Sequence, residues 1–230
     1  MLDFLLQLIA IIVAVFLAKQ LFVNLPERAF NKYELNRRKS VFGLHNKRSL
    51  SKKSIIAYID LLTSRVVYNS RYFNNYKISK KSEKKLLNGD FSINSLNLLV
   101  NDIKQYLNLD YLIYIKYDLN CPANKIAYIV KRELYYEILL HPNIEKEIDS
   151  IVSVIAHEIS HIVIDVCKLN IENNLENEWL TDFAAVYLGF SEYLLSGYKY
   201  KELKHKQKGY IKPGDIKYAK KYLAQIMVNK

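Results

Sequence analysis

Cysteine is scarce in this chain. Cys121 and Cys167 are the only two among 230 residues, they lie far apart, and they form no CxxC pair. That argues against a disulfide framework and leaves two reduced thiols in a cytosol-facing domain as the plain expectation. Also missing is any Lys or Arg ahead of the apolar run that opens the chain, where only Asp3 and the amino terminus stand. No small-x-small site closes that run. Both absences speak against a cleaved signal peptide. There is no internal repeat. The basic segment that follows carries neither a recognised nucleic-acid motif nor interleaved aromatic platforms, so no nucleic acid is expected as a partner.

What is present suits one domain with a real core plus appendages, since 50% of the residues are hydrophobic. The net charge of +11 is unevenly placed. Lys19 to Lys85 holds 17 Lys and Arg against 4 Asp and Glu, whereas Leu86 to the end holds 17 against 18.

Phe4 to Ala18 (FLLQLIAIIVAVFLA) carries no charge, and Gln7 is its one strongly polar residue. Counted from Leu2 to Leu25, with the Lys19 stem lying along apolar surface, the run reaches the roughly 20 residues a spanning helix needs. Pro26 supplies a stop. The basic residues Arg28, Lys32, Arg37, Arg38, Lys39, Lys47, Arg48, Lys52 and Lys53 all follow the run. The positive-inside rule then places the rest of the chain in the cytoplasm, as a single-pass protein of the cell membrane. The same residues suit contact with anionic headgroups.

Beyond the basic linker, Ile55, Ile56, Ile59, Leu62 and Val66 recur at helical spacing over Lys52 to Tyr68. Arg71 to Gly89 reads as polar and loop-rich. Ser92 or Asn94 caps a helix through Leu107. The period then changes. Tyr111 to Leu119, Lys125 to Lys131 and Leu134 to Leu140 are rich in β-branched and aromatic residues and predict a small, mainly antiparallel sheet. Helical spacing returns with Ile148, Ile151, Val152, Ile155, Ile159, Ile162 and Val163. Further helices are expected from Glu176 to Leu195 and from Pro213 to Met227.

The chemistry sits in His157-Glu158-Ile159-Ser160-His161. On a helix the two histidines are i and i+4, so their rings share one face. That spacing lets both bind one Zn²⁺ through about 2.0–2.1 Å bonds, with Glu158 beside the metal as a general base for an activated water. Random placement of the chain's five His and thirteen Glu gives this pattern with probability under about one in a hundred, so the motif is informative. A catalytic zinc wants a third protein ligand and one open position. Glu178 and Asp182 are again i and i+4, on the next helix. Glu178 is the expected third ligand, with Glu176 as competitor, and Asp182 is the expected carboxylate orienting a ligand histidine. Tyr187, Tyr193, Tyr198, Tyr210 and His205 are all candidates for stabilising a developing oxyanion. Asp165 reads as a solvated helix charge, His141 as a loop residue, and His45 as part of the basic linker.

HEISH followed by a helix bearing ExxxD resembles the gluzincin metallopeptidases. The run Glu176 to Phe190 (ENEWLTDFAAVYLGF), and Gly209-Tyr210-Ile211-Lys212-Pro213 leading into a helix, look like a poorly characterised bacterial group of HExxH proteins. The likeness covers roughly Leu134 to Met227. It implies an α+β, gluzincin-like fold in which a sheet edge ahead of the HExxH helix, here within Lys125 to Leu140, holds an extended peptide by strand addition. One feature departs from it: sixteen residues separate His161 from Glu178, too few for a large lid.

The expected organisation is a transmembrane anchor over 1–26, a basic juxtamembrane linker over 27–50, and a metallopeptidase-like domain over 51–230 whose motifs lie in 110–228. The expected activity is hydrolysis of peptide bonds in a protein or peptide substrate by a membrane-anchored zinc enzyme. The alternative is a zinc-containing regulatory or binding module at the membrane that does not cleave.

Overall fold

The fold was analysed in a computed structural model, which describes residues 50–66, 75–122, 125–197 and 210–228. All of these fall in one unit, Lys47–Lys230. The expected anchor, and the linker apart from Leu50, lie outside the described residues. Among the described residues no helix is long and apolar enough to cross a membrane.

The first two helices begin on serine caps. Ser51 accepts from the Ser54 N–H at 3.1 Å and opens α1, Lys52–Arg65, which buries Ile55, Tyr58, Ile59 and Leu62. Helix α1 stops at Arg65 rather than running on to Tyr68. Val66 is already extended but still buried, and its carbonyl accepts from the Tyr187 hydroxyl at 3.1 Å. The stretch read as loop contains a helix, α2, Lys80–Leu87. Its apolar stripe is too thin for a periodicity argument, since Leu86 is buried and Leu87 is exposed. Capping specifies it instead: Ser79 accepts from the Ser82 N–H, and both hydroxyls donate to Asp102 of the next helix.

That next helix is α3, Ile93–Leu107, capped by Ser92 and not by Asn94. It ends at Asn108 in the left-handed region (φ 53°), which asparagine tolerates. Strands β1 (Leu112–Tyr117), β2 (Ala127–Lys131) and β3 (Tyr135–Leu140) follow. Their order is β1-β3-β2, with β1 parallel and β2 antiparallel to β3. The sheet is therefore mixed, and only one of its two ladders matches the mainly antiparallel expectation. The run YYEILL, buried from Tyr136 to Leu140, takes the centre because a central strand needs both faces covered.

Helix α4, Ile148–Val166, carries the HExxH residues and sinks Ile151, Ile155, Ile159 and Ile162 into the core. It closes with Lys168 left-handed (φ 54°), Lys168 N–H bonding Asp165 O at 3.1 Å and Leu169 N–H bonding Ile164 O at 2.9 Å. This Schellman turn reverses the chain within a few residues. Asn173 then accepts from the N–H groups of Leu175 and Glu176 to start α5, Asn174–Tyr187.

The single helix expected from Glu176 to Leu195 is split. Gly189 (φ 91°) forms a second Schellman turn, with bonds from Gly189 N to Val186 O and from Phe190 N to Ala185 O, and α6, Ser191–Gly197, follows. Helix α7, Pro213–Val228, starts on proline as expected, and its Asp215 accepts from the Lys212 N–H.

Helix α6 docks on α4 through a close approach at Gly197. A Cβ there would stand 2.4 Å from Ser153 Oγ and 2.9 Å from the Asp149 carbonyl. Gly197→Ala is therefore expected to lower stability by about 1–3 kcal/mol. Urea unfolding of both chains measures it, and an unchanged midpoint would mean that α6 moves away freely.

Candidate metal centre and its cleft

Helices α4 and α5 lie side by side and bring the sequence-predicted ligands together. His157 Nε2 is 3.1 Å and His161 Nε2 is 3.3 Å from the same oxygen, Oε2 of Glu178. The ligating atoms of the three residues lie within 4.8 Å of one another. Bonds of about 2.0–2.1 Å at tetrahedral angles put ligand atoms about 3.3–3.4 Å apart, so both separations suit one ion of that size. Glu176 is not in the group. It stays in the first turn of α5, beside the Asn173 cap.

The far side of each imidazole decides what the near side can do. Asp182 is fully buried and accepts from His157 Nδ1–H at 2.8 Å. An ionised carboxylate only accepts, so the Nδ1 proton is fixed. Thr181 Oγ1 lies 3.0 Å from His161 Nδ1 and donates its one proton to the Asn177 carbonyl at 2.8 Å. It can therefore only accept from His161, which fixes that tautomer as well. Both Nε2 lone pairs then face a carboxylate. With both Nε2 atoms unprotonated three acceptors converge on one point, an arrangement that attracts a cation, whether a proton or a metal ion.

The electrostatics agree. Burial opposes charge on His157, yet hydrogen bonds to Asp182 and Glu178 outweigh it and raise the proton affinity well above the ordinary imidazole value. Burial likewise pushes Glu178 up, but the bonds from His157 and His161 prevail and hold its carboxyl at about 2. Each shift says that the cluster attracts positive charge.

Glu158 sits beside the pair, 6% exposed, and burial raises its proton affinity while the neighbouring histidines partly offset that rise. A buried carboxyl in a cleft, poised in this way, suits taking a proton and returning it. Tyr210 stacks on the His157 ring at 5.9 Å between centroids and 23° between planes. Burial, together with the nearby carboxylates, keeps its phenol protonated and able to donate. Its backbone N–H and that of Ile211 donate to Asp182 Oδ2 at 2.6 and 3.1 Å.

Of the candidate oxyanion groups among the described residues, Tyr210 is the one that lines the cleft. Tyr187 is in the core, and Tyr193 accepts from the Ile78 N–H at 3.2 Å. Tyr198 and His205, like His45, lie outside the described residues. His141 Nδ1 accepts from the Asn143 N–H within its loop, as expected. Asp165 is no merely solvated charge. It binds Lys131 Nζ at 2.6 Å and the Tyr136 hydroxyl at 2.9 Å, joining the end of α4 to the sheet.

The cleft, about 390 Å³, runs between α4 and β2. Strand β2 is an edge, and the pairing parity says which of its groups are open. His141 N–H bonds the Ile126 carbonyl, and Arg132 N–H bonds the Tyr135 carbonyl. In an antiparallel ladder, residues 126, 128, 130 and 132 therefore point their amides at β3, and those of Ala127, Ile129 and Lys131 point away. All three of these outward residues line the cleft. On the other edge the Asn97 side chain engages Ile115 of β1, accepting from its N–H at 3.2 Å.

Comparison with protein-family models, with curated proteins and with solved structures gives no match. The site must be read from its own geometry.

Sequence reasoning missed Thr181 and the backbone donors of Tyr210 and Ile211. Thr181 had a visible signal, three residues after Glu178 on the same helical face. Thr181→Val and Asp182→Asn are each expected to weaken metal affinity about 10- to 100-fold, as losses of groups that orient ligand histidines do. Competition against a chromogenic chelator measures this, and wild-type affinity in both would remove the orienting role.

Proposed function

We propose that this protein is a zinc-dependent metallopeptidase. The observation that carries the reading is the convergence of His157, His161 and Glu178 as an acceptor-only set, with the Glu158 carboxyl beside it in a cleft bordered by an open strand edge. Two imidazoles and one carboxylate suit zinc, and three protein ligands are the number used by catalytic rather than structural sites. A bound zinc ion supplies Lewis acidity, polarising a carbonyl and bringing the pKa of a water toward about 7.

The chain's own residues supply the rest. Thr181 and Asp182 hold the two histidines in the tautomers that ligate. Glu158 takes the proton of the attacking water and returns it to the departing amine, so no proton is gained or lost over the cycle. Tyr210 donates its phenol proton in a hydrogen bond to the oxygen that gains charge. The outward amides of Ala127, Ile129 and Lys131 bind the substrate backbone as an added strand, which suits an extended peptide. That last element supports a peptidase over other hydrolases.

The likeness to gluzincins supports the same assignment, and the N-terminal apolar run with its basic flank supports tethering at the cytoplasmic face of the membrane. Tethering favours substrates near that surface.

Glu158→Gln separates cleavage from binding. The variant is expected to keep stoichiometric zinc and to lose at least about a hundredfold in peptide cleavage. Zinc content is read by atomic emission, and cleavage by mass spectrometry of a peptide library. Glu178→Ala is expected to lose zinc. If the wild type and Glu158→Gln both hold zinc and neither cleaves any peptide, a non-cleaving zinc module at the membrane replaces this reading.

A further inference from the structure

Lysines stand at both ends of the cleft side of β2, and their surroundings differ. Lys131 is matched: Asp165 holds its ammonium at 2.6 Å, one helical turn beyond His161. Lys125, at the other end, has no carboxylate within ion-pair distance among the described residues. Its ammonium rests over the Tyr128 ring, 5.4 Å from the centroid, and the residue is exposed while still lining the cleft.

The direction of the strand gives this asymmetry a meaning. An extended peptide added to β2 in the antiparallel sense, the slightly more stable of the two pairings, runs from the Lys131–Asp165 end toward Lys125. Its residues on the carboxyl side of the cleaved bond then approach the unmatched ammonium. The charge order agrees with that polarity, because a neutralised pair meets the amino-terminal part and a lone cation meets the carboxyl-terminal part.

Resting on the peptidase reading, we infer that Lys125 selects peptides bearing a carboxylate on the carboxyl side of the cleaved bond. The group is an acidic side chain or the terminal carboxylate of the peptide itself. Its attraction to an exposed ammonium is modest and screened by salt.

The test uses the full-length chain and a peptide library scanning Asp, Glu, Asn and Gln on each side of the cut. Each peptide is made both as a free acid and as an amide. Wild type is expected to favour a carboxylate on the carboxyl side by roughly two- to fivefold in kcat/KM, less so in about 0.5 M salt. Lys125→Ala should abolish that preference and Lys125→Glu reverse it. A gain confined to the free acids identifies the terminal carboxylate, and a gain with Asp or Glu in both forms identifies the side chain.

A preference that survives in Lys125→Ala, or that maps to the amino side of the cut, overturns the inference while leaving the peptidase reading intact. A Lys125→Ala chain that loses zinc also overturns it, since the residue would then support the centre. Wild type that cleaves no peptide overturns the peptidase reading and this inference with it.

Discussion

Asp182 has no exposed surface, and its two oxygens serve different parts of the chain: Oδ1 accepts from His157, and Oδ2 accepts from the amides of Tyr210 and Ile211. Burying a carboxylate costs several kcal/mol unless it is fully solvated by the protein. Here that solvation comes from the ligand histidine on α4 and from the segment that enters α7. The one carboxylate therefore couples the orientation of His157 to the docking of residues 210–211. It also sets Tyr210 against the His157 ring, because the backbone that donates to Asp182 is the backbone that carries the phenol. Without it, α4 would still form, but neither the ligand tautomer nor the stacked tyrosine would be specified.

The sheet leaves one edge strand, β2, beside the cleft. Edge strands invite unwanted pairing, and proteins usually block them. Asn97 does so at β1, with its amide against Ile115. Strand β2 is instead held in place by its central neighbour. Glu137 on β3 binds Lys116 of β1 at 2.7 Å and takes a two-pronged contact from Arg132, just past β2, at 2.9 and 2.8 Å. These ion pairs bind the three strands together through the middle one, and β2's outward amides stay unengaged by β1 or β3. At the end of α4, Lys131–Asp165 sets the spacing between that edge and the helix. The edge strand is thus held both to its sheet neighbours and to the helix that carries His157 and His161.

Much of the centre was legible because helical spacing is a strong local constraint. Once HEISH is helical, His157 and His161 must share a face, and once α5 is helical the same holds for Glu178 and Asp182. The cap of α3 and the start of α7 on Pro213 were legible for the same local reason. What escaped the sequence was set by partners elsewhere. Thr181 matters because Asn177 absorbs its proton, and Asp165 matters because Lys131 and Tyr136 arrive from the sheet. The parallel pairing of β1 with β3 depends on which strand takes the centre, a competition over burial that no single strand reveals. Gly189 was a readable signal that lost to the apolar periodicity around it, since Phe190 and Leu194 continue the pattern across the break.

Converging two imidazole lone pairs on a carboxylate is unfavourable in itself, so the surrounding fold has to hold it. Helix α4 supplies that support through Ile151, Ile155 and Ile159, each buried and none of them lining the cleft. Helix α5 does the same through Leu180, Phe183 and Val186, with Phe183 stacked on Tyr58 of α1 at 5.4 Å. The apolar core therefore sets the ligand spacing before any ion arrives, and a cation binding there recovers electrostatic energy that folding has already spent. This is the reverse of a small zinc-stabilised domain, in which the metal organises the chain. An ion bound at such a centre would not be needed to hold the helices together, because the apolar contacts between them already do so.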